Sequence, residues 1–330
     1  MFKKLNNAIL KKTLLTVPLV VGGFIASANA AQWHMPTPYG DANLPTKLAY
    51  QFADEIRKNT DGDLDITVHS GGSLVKHPEI PRSVKTGQVQ LGEIFIGIMG
   101  NTHPIFKHDN IPFLATSFDD AEKLWEAAKP EMEKQLKKEG MKLLYTVAWP
   151  AQGLYTQKTV NSLADVQGAR MRAYSPSTSR LADLMDTTPT TIQVPEIPQA
   201  FSTGLINAMI TSPTTGVNGQ AWDYVTDYND IQAWIPKNVV VVNARSFKRL
   251  DKATQKIVMD AAAKMEKQGW AQVRLNAKQD TQTLAENGIK VTSPSATLTN
   301  ELNAIGKKMT QEWIDESGPE IKMLLENYQR

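Results

Sequence analysis

The chain alternates short strand-like runs with amphipathic helices, and at Pro150 that alternation breaks off and begins again. QWHMP, LDITVH, VQLGEIFIG and MKLLYTVAW read as strands, separated by helical patterns at Asn43 to Lys58, Pro78 to Thr86 and Asp119 to Lys138. In the first helix Leu44, Leu48, Phe52 and Ile56 recur at helical spacing and Gly62 follows as a stop. After Pro150 come LYTQ, the loop NSLADVQG, the strand ARMRAY, a helix near Ser177 to Met185, TTIQV, a helix from Glu196, LINAMITS and a helix-like stretch from Gln220 to Asp230. KNVVVVNARSF then reads as a buried strand returning to the earlier sheet, and two long helices follow, Asp251 to Asn287 and Thr297 to Tyr328. An α/β unit, a second α/β unit, a return strand and helices describe an α/β protein of two hinged lobes. The expected division is 31–149 plus about 238–277 for lobe I, and 150–237 plus about 278–330 for lobe II. A ligand cleft lies between them.

The first thirty residues fall outside that pattern. MFKKLNNAILKK is basic, LLTVPLVVGGFIA is apolar, and Ala28, Asn29 and Ala30 form an A-x-A site, the three parts of a secretory signal peptide cleaved after Ala30. The apolar run is shorter than the ~18 to 20 residues that span a bilayer, and Pro18 interrupts it. The alternative is an uncleaved anchoring helix. This segment holds Lys3, Lys4, Lys11 and Lys12 and no acid, so removing these four charges takes the formal net charge from +2 to -2. A nucleic-acid partner thereby loses its compositional support. The chain has no cysteine, which excludes a disulfide framework, thiolate metal sites and a cysteine nucleophile. A periplasmic protein is expected, and a monomer.

Signatures of enzyme chemistry are missing: there is no GxSxG, phosphate-binding P-loop, HExxH, GxGxxG or EF-hand loop. His103 and His108 are the one close histidine pair, flanked only by Asp109, and read as loop histidines rather than a metal site. No metal and no cofactor is expected. The acidic residues of the Asp119 to Glu139 region fall among lysines at helical spacing, as on a solvated helix face. KHPEIPR suits a helix N-terminus, with capping the simpler reading than anion binding.

The arginines of GARMRAYSP are more informative. Arg170 and Arg172 lie two apart on a strand, so they point to one face while Met171 and Ala173 point to the other. That face is either a wet sheet edge or a place where an anion is met. Arginine grips a carboxylate with two parallel hydrogen bonds that also fix its angle.

Around this strand the sequence resembles the substrate-binding proteins of tripartite ATP-independent periplasmic (TRAP) transporters, the dicarboxylate-binding-protein type. The likeness runs through TDGDLDITVHSGGSL, SVKTGQVQLGE, NSLADVQGARMRAYSPS, PQAFSTGLINAMITSP and NARSFKRLDKATQKIV, essentially the whole mature chain. It implies two α/β lobes joined by crossing strands and a long helix and closing on a buried ligand, delivery to TRAP membrane permease subunits, and a carboxylate clamp at Arg172, with Arg170 a solvated neighbour. Two departures from the family pattern matter. Gln152 stands where many members have a second basic residue, and Ile206-Asn207-Ala208-Met209-Ile210 lacks the acids of the family's "vDGqe" segment. With a neutral Gln152, a single carboxylate is favoured over a dicarboxylate or acidic sugar. Thr211 and Ser212 become the expected polar contacts.

Trp149, Tyr174, Trp234 and Phe95 or Ile96 are candidate aromatic and apolar walls, and His34 could face the cleft; packing is the alternative reading for each. The expected ligand is a small organic monocarboxylate, aromatic or hydrophobic. Other TRAP ligands (a dicarboxylate, a sugar acid, a small zwitterion) are alternatives, as is an exported hydrolase or lyase using His34 with Glu93 or Glu196. A sensor subunit would share the same binding chemistry.

Overall fold

The computed structural model describes residues 30–329. The expected export segment therefore lies outside the described residues, apart from Ala30 at its end. Eleven strands and ten α-helices are present among the described residues. In the first part these are β1 (Ala31–Pro36), α1 (Leu44–Asn59), β2 (Leu64–His69), α2 (Ile80–Thr86), β3 (Leu91–Phe95), α3 (Phe118–Lys138) and β4 (Met141–Ala148). Next come β5 (Gly153–Thr156), β6 (Arg170–Ala173), α4 (Pro176–Leu184), β7 (Thr188–Thr191), α5 (Ile197–Ser202), β8 (Ala208–Thr211), α6 (Pro213–Asn218) and β9 (Asp227–Asn229). The chain ends with β10 (Lys237–Asn243), α7 (Ala244–Arg249), α8 (Lys252–Glu286), β11 (Lys290–Thr292), α9 (Ala296–Asp315) and α10 (Pro319–Gln329).

One half is built on the antiparallel sheet β3-β10-β4, with the parallel pair β1-β2 beside it; the other is built on a six-stranded sheet, β11-β9-β5-β8-β6-β7. β10 is the expected return strand. All seven of its residues are buried, because β3 and β4 flank it and helices cover its faces, so it reads as a run of valines rather than an alternation. The buried Lys237 opens it: Asp109 Oδ2 accepts from the Lys237 backbone N–H at 2.8 Å and lies 3.4 Å from its Nζ. The entry point of the returning strand is thus pinned by an ion pair that water does not reach.

Long helices tie the halves together. On α8, Val258, Ala261, Ala262 and Met265 pack in the core with α1 and β4, whereas Leu284, near its C-terminal end, packs with Tyr155 and Tyr228 of the second sheet. α9 crosses in the opposite sense, from Leu298 and Leu302 on the second half to Trp313 on the first.

Three stretches differ from the sequence expectation. The helix expected over 220–230 is a short 3-10 turn, Ala221–Asp223, followed by β9. Gln220 there has a positive φ of 48°, and Asp227, Tyr228 and Asn229 pair with β5 and β11, so sheet pairing overrides helical propensity. The expected final helix is two helices parted at Ser317 and Gly318, and α10, expected with lobe II, packs Ile321, Leu324 and Leu325 in the core of the first half beside α3. The helix expected from Asp119 begins one residue earlier, at Phe118, and is capped by Ser117, whose Oγ accepts from the Asp120 N–H, with Asp119 and Asp120 in the first turn.

Candidate functional site

The carboxyl ends of β6 and β8, which run parallel, open on the gap between the two halves, the place where open α/β sheets offer ligand sites. Arg172 sits one residue before the end of β6 and is only 3% exposed. Arg170, two residues earlier, is exposed; its Nε–H donates to the Gly204 carbonyl at 2.6 Å. The two share a strand face, but only Arg172 is roofed over by the opposite half.

The Arg172 guanidinium has two partial restraints and no counter-ion among its hydrogen-bond partners. Its Nε–H donates to the Ile192 carbonyl at 2.9 Å, and its Cζ stands 4.6 Å from the centre of the Tyr174 ring, a cation–π contact. Its Nη1 is buried with no protein partner. Burial draws its pKa down to about 10, against the pull of nearby Tyr174 and Tyr39. A buried charge without a partner costs several kcal/mol, so this arrangement is stabilised when an anion arrives.

Beside it lies a cavity of ≈ 40 Å³. From the second half it is lined by Arg172, Tyr174, Gln152, Gln193, Thr211 and Ser212, and from the first by Tyr39, His77, Phe95 and Trp149. Arg172 is the one permanently charged residue lining it. A larger groove of ≈ 640 Å³ runs along α8 near Ala277 to Ala285, but the unpaired guanidinium belongs to the smaller cavity.

The walls are held by hydrogen bonds that run behind them. Asn238 Oδ1 accepts from the Trp149 indole N–H at 2.8 Å and from the Tyr39 hydroxyl at 3.2 Å, while its Nδ2 donates to Glu93 Oε1 at 2.6 Å. Glu93 is fully buried; desolvation pushes its carboxyl up to about 8, outweighing the hydrogen bonds of Asn238 and Thr37. A mostly protonated Glu93 therefore braces the wall without adding charge at neutral pH. Gln152 is committed inward: its Nε2 donates to the Pro150 carbonyl at 2.8 Å and its Oε1 accepts from the Tyr174 hydroxyl at 3.2 Å. Ser212 caps α6, its Oγ accepting from the Thr215 N–H at 3.1 Å.

Of the residues singled out from the sequence, Arg172, Gln152, Trp149, Tyr174, Thr211, Ser212 and Phe95 line this cavity together. Three do not. His34 is exposed on β1 with its Nδ1 3.0 Å from His69 Nε2, because the β1-β2 register places those rings side by side on the outer face. Ile96 points into the core of the first half with Ile94 and Phe106. Trp234 is buried behind Arg172, lining a void of ≈ 10 Å³ with Met171 and Leu181. Nor is His108 a loop residue: it is fully buried and its Nδ1–H donates to the Ile105 carbonyl at 2.9 Å. Sequence reasoning missed Tyr39, His77 and Gln193, which stand in irregular segments with no periodic signal; only the polar-aromatic character of PTPYG and KHPE hinted at them.

A buried guanidinium facing a small neutral cavity between two hinged α/β lobes defines a ligand-binding receptor. The model for "Bacterial extracellular solute-binding protein, family 7" matches residues 40–316, and the chain belongs to this family, whose members seen among solved structures include TRAP solute-binding proteins. DctP7, a Bordetella pertussis extracytoplasmic solute receptor binding pyroglutamic acid, is 48% identical with a TM-score of 0.90, the match covering 91% of this chain and all of that one. DctP6 of the same organism, also a receptor binding pyroglutamic acid, is 37% identical with a TM-score of 0.89 over 91% of this chain and 99% of its own. A marine metagenome TRAP solute-binding protein specific for pyroglutamate, solved with the co-purified ligand, is 35% identical with a TM-score of 0.89 over 91% and 99%.

Proposed function

We propose that this protein is a periplasmic receptor for pyroglutamate or a close cyclic analogue, binding it without turnover and handing it to TRAP permease subunits. The observation that carries the reading is the single unpaired guanidinium of Arg172 in a cavity otherwise lined by neutral groups. One fixed positive charge matches one carboxylate, and pyroglutamate has one. The space enclosed is small, which suits a compact acid. Pyroglutamate is a monocarboxylate, like the ligand expected from Gln152, but its ring is a saturated lactam rather than an aromatic. In this role Arg172 clamps the carboxylate; Tyr174, Phe95, Tyr39 and Trp149 enclose the ring; Thr211 contributes a hydroxyl, with Gln152 bracing Tyr174 from behind. Export by the N-terminal segment with cleavage after Ala30, and action as a monomer, complete the proposal.

Mass spectrometry of ligand carried through purification, followed by calorimetric titration of the emptied protein, tests it. Co-purified pyroglutamate and saturable heat are expected. Absence of both, with binding of a different acid, would overturn the pyroglutamate reading; product release from a bound ligand would overturn the receptor role.

A further inference from the structure

Gln193 and His77 lie on opposite sides of the cavity's mouth, 116 positions apart in the chain, and meet across it. The Phe95 backbone N–H donates to His77 Nε2 at 3.1 Å, which makes Nε2 an acceptor and places the ring's one proton on Nδ1. Nδ1 is 3.1 Å from Gln193 Oε1, so the ring donates and the amide oxygen accepts. A flipped amide would set two donors against each other. Burial keeps the imidazole neutral, with its pKa drawn down to about 4, so this proton arrangement persists throughout the neutral range. The Gln193 backbone N–H is itself fixed by Glu196 Oε2 at 2.9 Å, and the preceding carbonyl, that of Ile192, receives Arg172 Nε. Amide and guanidinium are therefore mounted on adjacent residues of one segment.

We propose that His77 is a positioning residue which holds the Gln193 carboxamide with its NH₂ group toward the cavity, so that the site demands a carbonyl acceptor on the ligand in addition to the carboxylate that Arg172 binds. The chemical class so selected is a small ring bearing one carboxylate and one ring carbonyl, a lactam or lactone acid. A carboxylated ring lacking the carbonyl leaves the Gln193 donor unmatched. This rests on the pyroglutamate reading above and extends it from the charge of the ligand to its second polar group.

Three probes separate the terms: pyroglutamate, 5-oxotetrahydrofuran-2-carboxylate, which keeps the carbonyl but has no N–H, and tetrahydrofuran-2-carboxylate, which has neither. Calorimetry on the intact mature protein is expected to show the two carbonyl-bearing acids binding at least about tenfold tighter than the third, a gap the size of one well-made hydrogen bond. In His77→Ala and in Gln193→Leu that gap should collapse to within about threefold, over and above any common change in affinity that the altered lining brings to all three acids. His77→Asn, whose amide N–H can reach toward Gln193, should restore part of the gap. A purely structural role for His77 would weaken all three acids alike and leave their ratios intact; that result, with folding confirmed by an unchanged circular dichroism spectrum, overturns the inference and spares the pyroglutamate reading. Failure of the unmodified protein to bind pyroglutamate at all removes both.

Discussion

At the scale of single residues, the site separates a charge that waits for a partner from a carboxyl that is held neutral. Arg172→Ala should weaken ligand binding by about 100-fold or more, and Arg172→Lys nearly as much, because the ammonium cannot reproduce the bidentate grip or the stack on Tyr174. Arg170→Ala, on an exposed side chain, should leave the affinity unchanged. Equal losses from both positions in calorimetry would sink this assignment of roles. Glu93 and His77 make the pH dependence of stability legible. The Glu93 carboxyl rises from 4.5 to about 8 on folding, so between those values the folded state keeps a proton the unfolded state has lost, and stability falls as pH rises. His77 drops from 6.5 to about 4, so the unfolded state holds the extra proton between those values and stability rises with pH there. The two oppose each other between about pH 4.5 and 6.5, where the buried His108, likewise drawn down to about 4, acts with His77; of these three groups only Glu93 acts above that window. Chemical denaturation should show stability declining from pH 6.5 to 8 by up to ~1.4 kcal/mol per unit, and Glu93→Gln should flatten that decline.

At the scale of elements, short junctions aim the side chains. Ser175, two residues past the end of β6, caps α4: its Oγ accepts from the Thr178 N–H at 3.2 Å, while Thr178 Oγ1 accepts from the N–H groups of Tyr174 and Ser175, both at 2.9 Å. This capping box turns the chain directly after Arg172 and sets Tyr174 under the guanidinium. Ser175→Ala should cost ~1 kcal/mol in unfolding free energy, and a variant of undiminished stability would show that the box is not what fixes the turn. β10 depends on a different junction. Removing the Asp109 carboxylate leaves Lys237 buried and unpaired, so Asp109→Ala should destabilise by ~3 to 5 kcal/mol. Replacing both together with apolar residues should cost much less, measured by denaturant midpoint, since the desolvation of the pair disappears with it.

At the scale of the whole molecule, the architecture is two half-molecules meeting over the cavity and joined behind it. We divide the lobes where the packing of α8 changes sides, between Val273 in the first core and Leu284 in the second, with α10 returning to the first lobe. Across the front, Asn218 Nδ2 donates to Asn43 Oδ1 at 2.8 Å, and Phe95 meets Tyr174 edge-on with ring centres 5.3 Å apart. Parting of the lobes, the expected route for ligand entry, would break both contacts. Because the chain has no cysteine, Asn43→Cys with Asn218→Cys provides a clean test. Linking the two thiols with a short bis-maleimide should trap ligand already bound and bar entry to emptied protein. Unhindered exchange in the linked form would show that the ligand does not need the lobes to part. Ligand at 100 times its Kd should raise the unfolding free energy by ~2.7 kcal/mol.

Local signals carried much of this molecule. Leu48, Phe52 and Ile56 bury one helix face, the valines of β10 mark a strand covered on both sides, and the spacing of Arg170 and Arg172 puts both on one strand face. These are consequences of periodicity and side-chain chemistry, which depend only on neighbours in the chain. What lies across the cleft depends on which distant segments meet. His34 and His77 look alike in sequence, yet the strand register turns the first outward against His69, while the second is buried between Phe95 and Gln193. Trp149 directly follows β4 and Trp234 lies in the segment between β9 and β10, but only Trp149 reaches the cavity, because Asn238 on the return strand holds its indole there. Residue types and their spacing determined the two-lobed α/β class, and the family resemblance singled out Arg172 as the expected carboxylate clamp. Tertiary structure decided which polar groups converge on that ligand and how their hydrogens point, since both are set by contacts between residues far apart in the chain.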